Sequence, residues 1–169
     1  MESPPKIQNS IQTANKTCGK IASLLMKYYQ TTEQLESRKY DSDEDIFAIE
    51  NTIRSKGELK NLLIKLQQKL EFEEVTLLYS VLLIDRYLSA ESAVLTSGNA
   101  TLIVCVAISL AYKYLEDEIY SNQVISKIIG LENKDLALLE MYFLKLIDYK
   151  LFFHDSKFKI LSKLITTEI

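Results

Sequence analysis

The chain has 169 residues, which is enough for one domain with a good core and too few for two. Its formal net charge of -3 gives no general attraction to nucleic acid or to anionic lipid, and its two cysteines, Cys18 and Cys105, provide no disulfide framework. We therefore expect neither nucleic acid nor a membrane as a partner, and we expect a reducing location, the cytoplasm and/or the nucleus.

The N-terminal part of the chain, residues 1–44, is predicted to hold a loose tail, an amphipathic helix and an acidic linker. Apolar residues recur at helical spacing from Ser10 to about Gln30, whereas residues 41–45, DSDED, include no apolar side chain. Ser3 and Ser42 are candidate phosphorylation sites, because a proline follows the first and acidic residues follow the second.

A series of helices is predicted after the linker, because both prolines lie within the first five residues and nothing beyond them is barred from helix. A short lead-in helix is expected from Asp45 to Ser55. The periodicity then predicts helices at Glu58–Leu70, Glu73–Ser89, Thr101–Leu115, Ser121–Ile129, Asn133–Tyr149 and Asp155–Ile165. The fold class is therefore all-α.

The helix predicted at Thr101–Leu115, TLIVCVAISLAYKYL, is apolar on every side. This pattern is typical of a helix that other helices enclose. A membrane span needs about 20 apolar residues, and Lys113 interrupts this run after roughly a dozen. We therefore expect the helix to form the buried centre of the domain.

Three charged residues, Asp85, Lys113 and Glu140, occupy positions that the helical periodicity assigns to the interior. Burying a single charge is costly unless the charge is paired, so each of them needs a partner. Within the chain, Lys113 can pair with Glu140, and Asp85 can form a structural ion pair with Lys56 or Lys65. The residues alone leave open whether these charges are structural or functional.

Signatures of catalysis are sparse in this sequence. His154 is the single histidine, no motif places a nucleophile beside it, and a surface or packing position is favoured. The acidic run Glu116, Asp117 and Glu118 lacks a partner histidine and the spacing of a metal site. No glycine-rich phosphate loop is present. We therefore expect no enzymatic activity, no metal and no cofactor.

Three segments share their order and spacing with a known family. LLIDRYL (82–88), AYKY (111–114) and LEMYFL (139–144) are similar to the second, third and fifth helices of the cyclin box. The segment KYLEDEIYSNQVISKIIGL (113–131) resembles the corresponding segment of the small single-box cyclins, the P-type or phosphate-regulon class. The sequence departs from the family pattern in the first box helix, where lysines replace the expected arginines and the preceding proline is absent.

The resemblance implies a single cyclin box of five helices around the buried central helix. The box with its lead-in helix would span residues 45–153, and a C-terminal helix would follow in residues 154–169. The implied function is the activating regulatory subunit of a cyclin-dependent kinase of the phosphate-regulon type or a related group. Such a subunit forms a heterodimer by binding beside the kinase's movable helix, and it performs no chemistry itself.

The resemblance also implies which residues bind the kinase. In the family, a lysine and a glutamate at the positions of Lys113 and Glu140 form hydrogen bonds with the kinase backbone. The surrounding contacts are expected from Tyr114, Glu116, Asp117, Phe143, Leu144 and Tyr149. For Phe143 and Leu144 an ordinary core position is equally compatible with the sequence.

Two other classes of function are compatible with a cyclin-like fold. One is a scaffold that binds a kinase or a peptide without activating it. The other is an adaptor similar to transcription factor IIB, which the negative net charge and the single box disfavour.

Overall fold

The computed structural model describes residues 15–27, 55–90 and 98–167, apart from the side chain of Thr166. Every regular element within these ranges is an α-helix, which confirms the predicted fold class. Residues 15–27 are helical and are called α1. The remaining helices are α2 (Lys56–Leu70), α3 (Glu74–Leu88), α4 (Ala100–Leu115), α5 (Asn122–Ile129), α6 (Asn133–Leu146) and α7 (Asp155–Thr167).

Several sequence predictions concern residues outside the described ranges. They include the tail, the acidic linker at 41–45, the lead-in helix up to residue 54, and the candidate phosphorylation sites Ser3 and Ser42. The boundary predicted at residues 44 and 45 stays a prediction for the same reason.

The centre of the fold is α4. All eleven residues from Leu102 to Tyr112 are buried, so this helix has no solvent-facing side along three turns. It packs most extensively against α3 and also against α6, while α5 packs against α6 and α2. Each large apolar side chain buried in this way contributes about 1.5–3 kcal/mol. The structure therefore confirms the enclosed central helix.

Helix α1 contributes side chains to the same hydrophobic core. Its residues Cys18, Ile21 and Leu25 are buried. The hydroxyl of Thr17 donates a hydrogen bond of 3.0 Å to the carboxylate of Glu74 on α3. On the same helix, Lys20 donates one of 2.5 Å to the carbonyl oxygen of Ile165 on α7. These bonds tie α1 to two helices that are distant in sequence.

The end of α6 differs from the prediction. This helix ends at Leu146 rather than at Tyr149, because Asp148 (φ 52°) and Tyr149 (φ 55°) adopt the left-handed conformation. The N–H of Tyr149 donates to the carbonyl oxygen of Leu144 at 2.8 Å and closes the last turn. Such a turn usually contains glycine, so sequence periodicity does not reveal it.

Helix α5, in contrast, ends at a glycine. Gly130 adopts φ 91°, and its N–H and that of Leu131 both donate to the carbonyl oxygen of Ser126 at 2.8 Å. This tight turn allows α6 to begin at Asn133. None of the helices in the three described ranges is long and apolar enough to cross a lipid bilayer.

Candidate functional site

An ion pair joins the last turn of α4 to the middle of α6. The Nζ atom of Lys113 lies 2.6 Å from Oε1 and 2.7 Å from Oε2 of Glu140. The exposed fraction of the side chain is 21% for Lys113 and 10% for Glu140. The pair predicted from the sequence is therefore formed, and it lies at the rim of the core with the lysine side chain more exposed than that of the glutamate.

Two further side chains bind the carboxylate of Glu140. The hydroxyl of Ser109, which is fully buried on α4, donates to Oε1 at 2.6 Å. The amide of Asn122, the first residue of α5, donates to Oε2 at 3.3 Å. Ser109 precedes Lys113 by four residues, so both side chains lie on one face of α4. The carboxylate thus connects three helices.

Sequence reasoning did not identify Ser109 or Asn122 as parts of this site. Asn122 lies within segment 113–131, which carries part of the resemblance, but the sequence assigned it no role of its own. For Ser109 the available signal was a single hydroxyl in an otherwise apolar helix, one turn before a lysine. That signal is weak, because a serine in a helix also bonds its own backbone.

The loop after α4 is held by hydrogen bonds to buried side chains. The phenol of Tyr112 donates to the carbonyl oxygen of Glu118 at 3.3 Å and accepts from the N–H of Tyr120 at 3.1 Å. The hydroxyl of Thr76 on α3 donates to the carboxylate of Glu116 at 2.8 Å. Glu116 is therefore half-buried and bonded within the chain, whereas Asp117 is exposed.

Aromatic rings lie beside the ion pair. Tyr114 follows Lys113 directly, is 45% exposed, and stacks on Tyr79 with ring centres 5.5 Å apart. The phenol of Tyr79 donates to the carbonyl oxygen of Leu151 at 2.8 Å. Burial raises the pKa of Tyr79 to about 12, and the adjacent Tyr114 adds to this effect. Tyr79 thereby links α4 to the segment that follows α6.

Arg86, in the last turn of α3, holds the same segment. Its guanidinium group donates to the carbonyl oxygen of Lys150 and, at 3.1 Å, to that of Phe152. Its central carbon lies 3.8 Å from the centre of the Phe153 ring, a favourable cation–π contact. In the segment held in this way, the exposed fraction of the residue surface is 60% for Tyr149 and 65% for Phe152. Sequence reasoning assigned no contact to Arg86.

One expected contact residue lies in the core. Phe143 is completely buried and stacks on Tyr87 at a ring-centre distance of 4.8 Å, so its side chain is out of reach of a partner. Of the two positions that the sequence left open for Phe143, the structure therefore shows the core position. Leu144 is half-buried against the core, and Tyr149 is exposed.

The second predicted ion pair stays a prediction. Asp85 is half-buried on α3, and Lys56 and Lys65 are exposed on α2. His154 is exposed and lies edge-on to Phe152, with ring centres 5.3 Å apart.

The groups of this site are suited to binding another protein. It offers a charged donor, exposed aromatic rings and a backbone segment held in place. Among the residues that the structure describes, no group of three or more histidine, cysteine, aspartate or glutamate side chains is arranged to hold a metal ion.

Comparison with known proteins gives one match. The model of the family described as Cyclin matches residues 7–151. The matched range includes α1 to α6, so it begins well before the predicted box and ends before α7. No curated protein matches the sequence.

Proposed function

The chain belongs to the cyclin family, and we propose that it is the activating regulatory subunit of a cyclin-dependent kinase of the phosphate-regulon, or P-type, class. Members of the family are regulatory rather than catalytic proteins. In this proposal the chain forms a heterodimer with the kinase and binds beside its movable helix. By binding the active arrangement of the kinase more tightly than the inactive one, it enriches the active state. A hundredfold enrichment requires a difference in binding free energy of about 2.7 kcal/mol.

The Lys113–Glu140 pair carries the proposal. A charged group at an apolar rim can form directional hydrogen bonds with the main chain of a partner, and these bonds strengthen when the partner excludes water. The side chain of Lys113 keeps 21% of its surface exposed, and the neighbouring Tyr114 is exposed as well. The geometry therefore supports a binding surface at the C-terminal end of α4.

Exposed aromatic residues supply the apolar part of this surface. Tyr114 and the segment that exposes Tyr149 and Phe152 are joined through Tyr79, which contacts Tyr114 and Leu151. Aromatic residues are enriched at protein interfaces because they bury a large area at a small cost in conformational entropy. Held by Arg86, this segment presents its rings in a fixed arrangement, which favours binding.

The proposal is tested by purifying the tagged full chain from its own cells and identifying the kinase that accompanies it. The activity of that kinase is then measured with and without the chain. Lys113→Glu, which sets two carboxylates against each other, is expected to abolish binding and activation, with circular dichroism verifying that the variant is folded. Tyr149→Ala is expected to weaken binding, because it removes an exposed ring of the proposed surface. Tyr142→Ala is its matched control, because Tyr142 lies on the face of α6 opposite Glu140.

The outcomes of this experiment distinguish an activating subunit from a scaffold and from an adaptor. A kinase whose activity rises with the wild-type chain supports the proposal. A kinase that binds without a change in activity supports the scaffold instead, and co-purification of specific DNA supports the adaptor. Absence of any kinase refutes the proposed function.

We also propose that the chain acts in the cytoplasm and/or the nucleus. Cys18 and Cys105 are both buried as free thiols, as expected for a protein in a reducing compartment. A fluorescent fusion of the full chain tests this location.

A further inference from the structure

Helix α6 carries apolar side chains on two faces. The inner face, with Leu136 and Phe143, lies in the core. On the outer face, the exposed fraction is 57% for Leu138 and 43% for Met141, and Tyr142 is exposed as well. A single exposed apolar residue is ordinary, but several at spacings of three and four residues form a patch on a helix that a partner can cover.

A groove with a volume of about 440 Å³ runs along this outer face. Its walls include Leu102 in the first turn of α4 and Leu131 in the turn before α6. Asp135 and Lys145 are the first and last residues of α6 that line it. Their positions are ten residues apart on the helix, which corresponds to about 15 Å along its axis. A helix of another chain can span this distance, whereas a compact small molecule reaches only one of the two charges.

The charges at the two ends of the groove have opposite signs. Within the described part of the chain, neither Asp135 nor Lys145 forms an ion pair. The charges that flank them are neutralised by the ion pairs Lys134–Glu132 (3.0 Å) and Lys150–Asp148 (3.1 Å). The helix dipole favours a carboxylate at the start of α6 and an ammonium group at its end, but it does not account for the exposed apolar residues between them.

A partner that fits this groove presents apolar side chains between a cation opposite Asp135 and an anion opposite Lys145. Helix α6 of a second copy meets this requirement when it lies antiparallel to the first. The two charges lie five residues to either side of position 140, and Leu138 and Tyr142 lie two residues to either side of it. A twofold axis at this midpoint sets Asp135 of each copy against Lys145 of the other. It also sets Leu138 of each copy against Tyr142 of the other.

We propose that two copies of this chain associate through the outer faces of their α6 helices as an antiparallel, twofold-symmetric dimer. The contact is one helix wide, so it belongs to the small, transient interfaces that bury less than about 1,200 Å². It lies on a different side of α6 from the proposed kinase-binding surface, because Glu140 and Tyr142 lie on opposite faces of the helix. The inference does not rest on the proposed function.

Sedimentation velocity of the full chain, without a kinase, tests the dimer. We expect the average mass to rise from one chain to two between about 1 µM and about 500 µM, with a dissociation constant on the order of 10–100 µM. Leu138→Asp is expected to weaken the dimer at least about tenfold, because each dimer then buries two unpaired carboxylates. Leu164→Asp is the matched control and should leave the dimer unchanged, since Leu164 is 50% exposed on α7 and lies outside the groove.

Charge reversal tests the antiparallel arrangement. Asp135→Lys and Lys145→Asp each set like charges against each other at both ends of the contact, and each is expected to weaken the dimer about threefold to tenfold. The double variant restores opposite pairs, so we expect a dissociation constant within about twofold of the wild type. An equimolar mixture of the two single variants should likewise associate more tightly than either variant alone. Circular dichroism verifies that each variant is folded, and the mixture replaces the double variant where that one is unstable.

Three results overturn the inference. A chain that stays monomeric up to about 500 µM does not place a second copy in the groove. A dimer that Leu138→Asp leaves intact is formed by another face. A dimer that Leu138→Asp weakens, but that neither the double variant nor the mixture restores, does not have antiparallel α6 helices at its centre. The proposed function stands in each case, because the assay contains no kinase.

Discussion

Removing one or the other member of the Lys113–Glu140 pair is expected to destabilise the fold unequally. Lys113→Met keeps most of the apolar stem but leaves the Glu140 carboxylate, whose side chain is 10% exposed, with bonds only from Ser109 and Asn122. Breaking a buried ion pair on one side costs about 3–5 kcal/mol. Because two bonds and some solvent contact remain, we expect the free energy of unfolding to fall by about 2–3 kcal/mol.

Substitution of Glu140 is expected to lower the free energy of unfolding less. Glu140→Gln leaves an acceptor for Ser109, and Lys113, which is 21% exposed, can turn towards water. We expect a loss of about 1 kcal/mol, typical of one hydrogen bond. In both variants the new side chain has a volume similar to that of the original one. The difference between the two losses in unfolding free energy therefore reports the cost of the unpaired buried charge.

Urea unfolding at neutral pH, followed by circular dichroism, measures both losses. With a slope of about 1–3 kcal/mol per molar urea, the midpoint for Lys113→Met should fall by about 0.7–3 M, and that for Glu140→Gln by about one third to one half as much. Lys134→Met is the matched control, since Lys134 forms a 3.0 Å ion pair with Glu132 but is 74% exposed. The reasoning is refuted if Lys113→Met behaves like this control, or if Glu140→Gln is the more destabilised variant.

Further predictions follow from the packing around the site. Arg86→Ala should accelerate hydrogen–deuterium exchange in the segment after α6 while the helices stay protected, and unchanged exchange there would contradict the contacts described. Phe143→Ala should lower the free energy of unfolding by about 3–5 kcal/mol in thermal melts, whereas an interface residue would change it little. Burial raises the pKa of Cys18 to about 11 and that of Cys105 to about 12, so both thiols should react with a disulfide reagent at pH 8 only after denaturation. Burial also raises the pKa of Tyr79 from 10.0 to about 12, so stability should fall as the pH rises from 10 to 12, and this fall should be smaller in Tyr79→Phe.

Parts of this architecture follow from the sequence for physical reasons. The apolar run of α4 has no polar side, so enclosure by other helices is the arrangement that removes it from water. Lys113 and Glu140 interrupt apolar stripes, which indicates that each needs a partner. Their pairing was one of the expectations because the two charges are opposite and a buried charge is costly without a partner.

Other parts leave little trace in the sequence. The end of α6 was missed because its left-handed turn is made by an aspartate and a tyrosine rather than by glycine. The contacts of Arg86 were missed because they are made to main-chain carbonyl oxygens. Every residue has such an oxygen, so the sequence does not indicate which ones the arginine binds. For Phe143 the sequence left a core and an interface position open, because a helical stripe does not show how far each of its residues lies from the rim.

The left-handed turn at Tyr149 has a consequence for engineering. Glycine adopts this conformation freely, whereas a residue with a β-carbon is disfavoured there by about 1–2 kcal/mol. Tyr149 is 60% exposed, so burial of its ring offsets little of this conformational cost. A screen that rewards only heat resistance would select glycine at this position, and the more stable chain would lack an aromatic ring of the proposed binding surface.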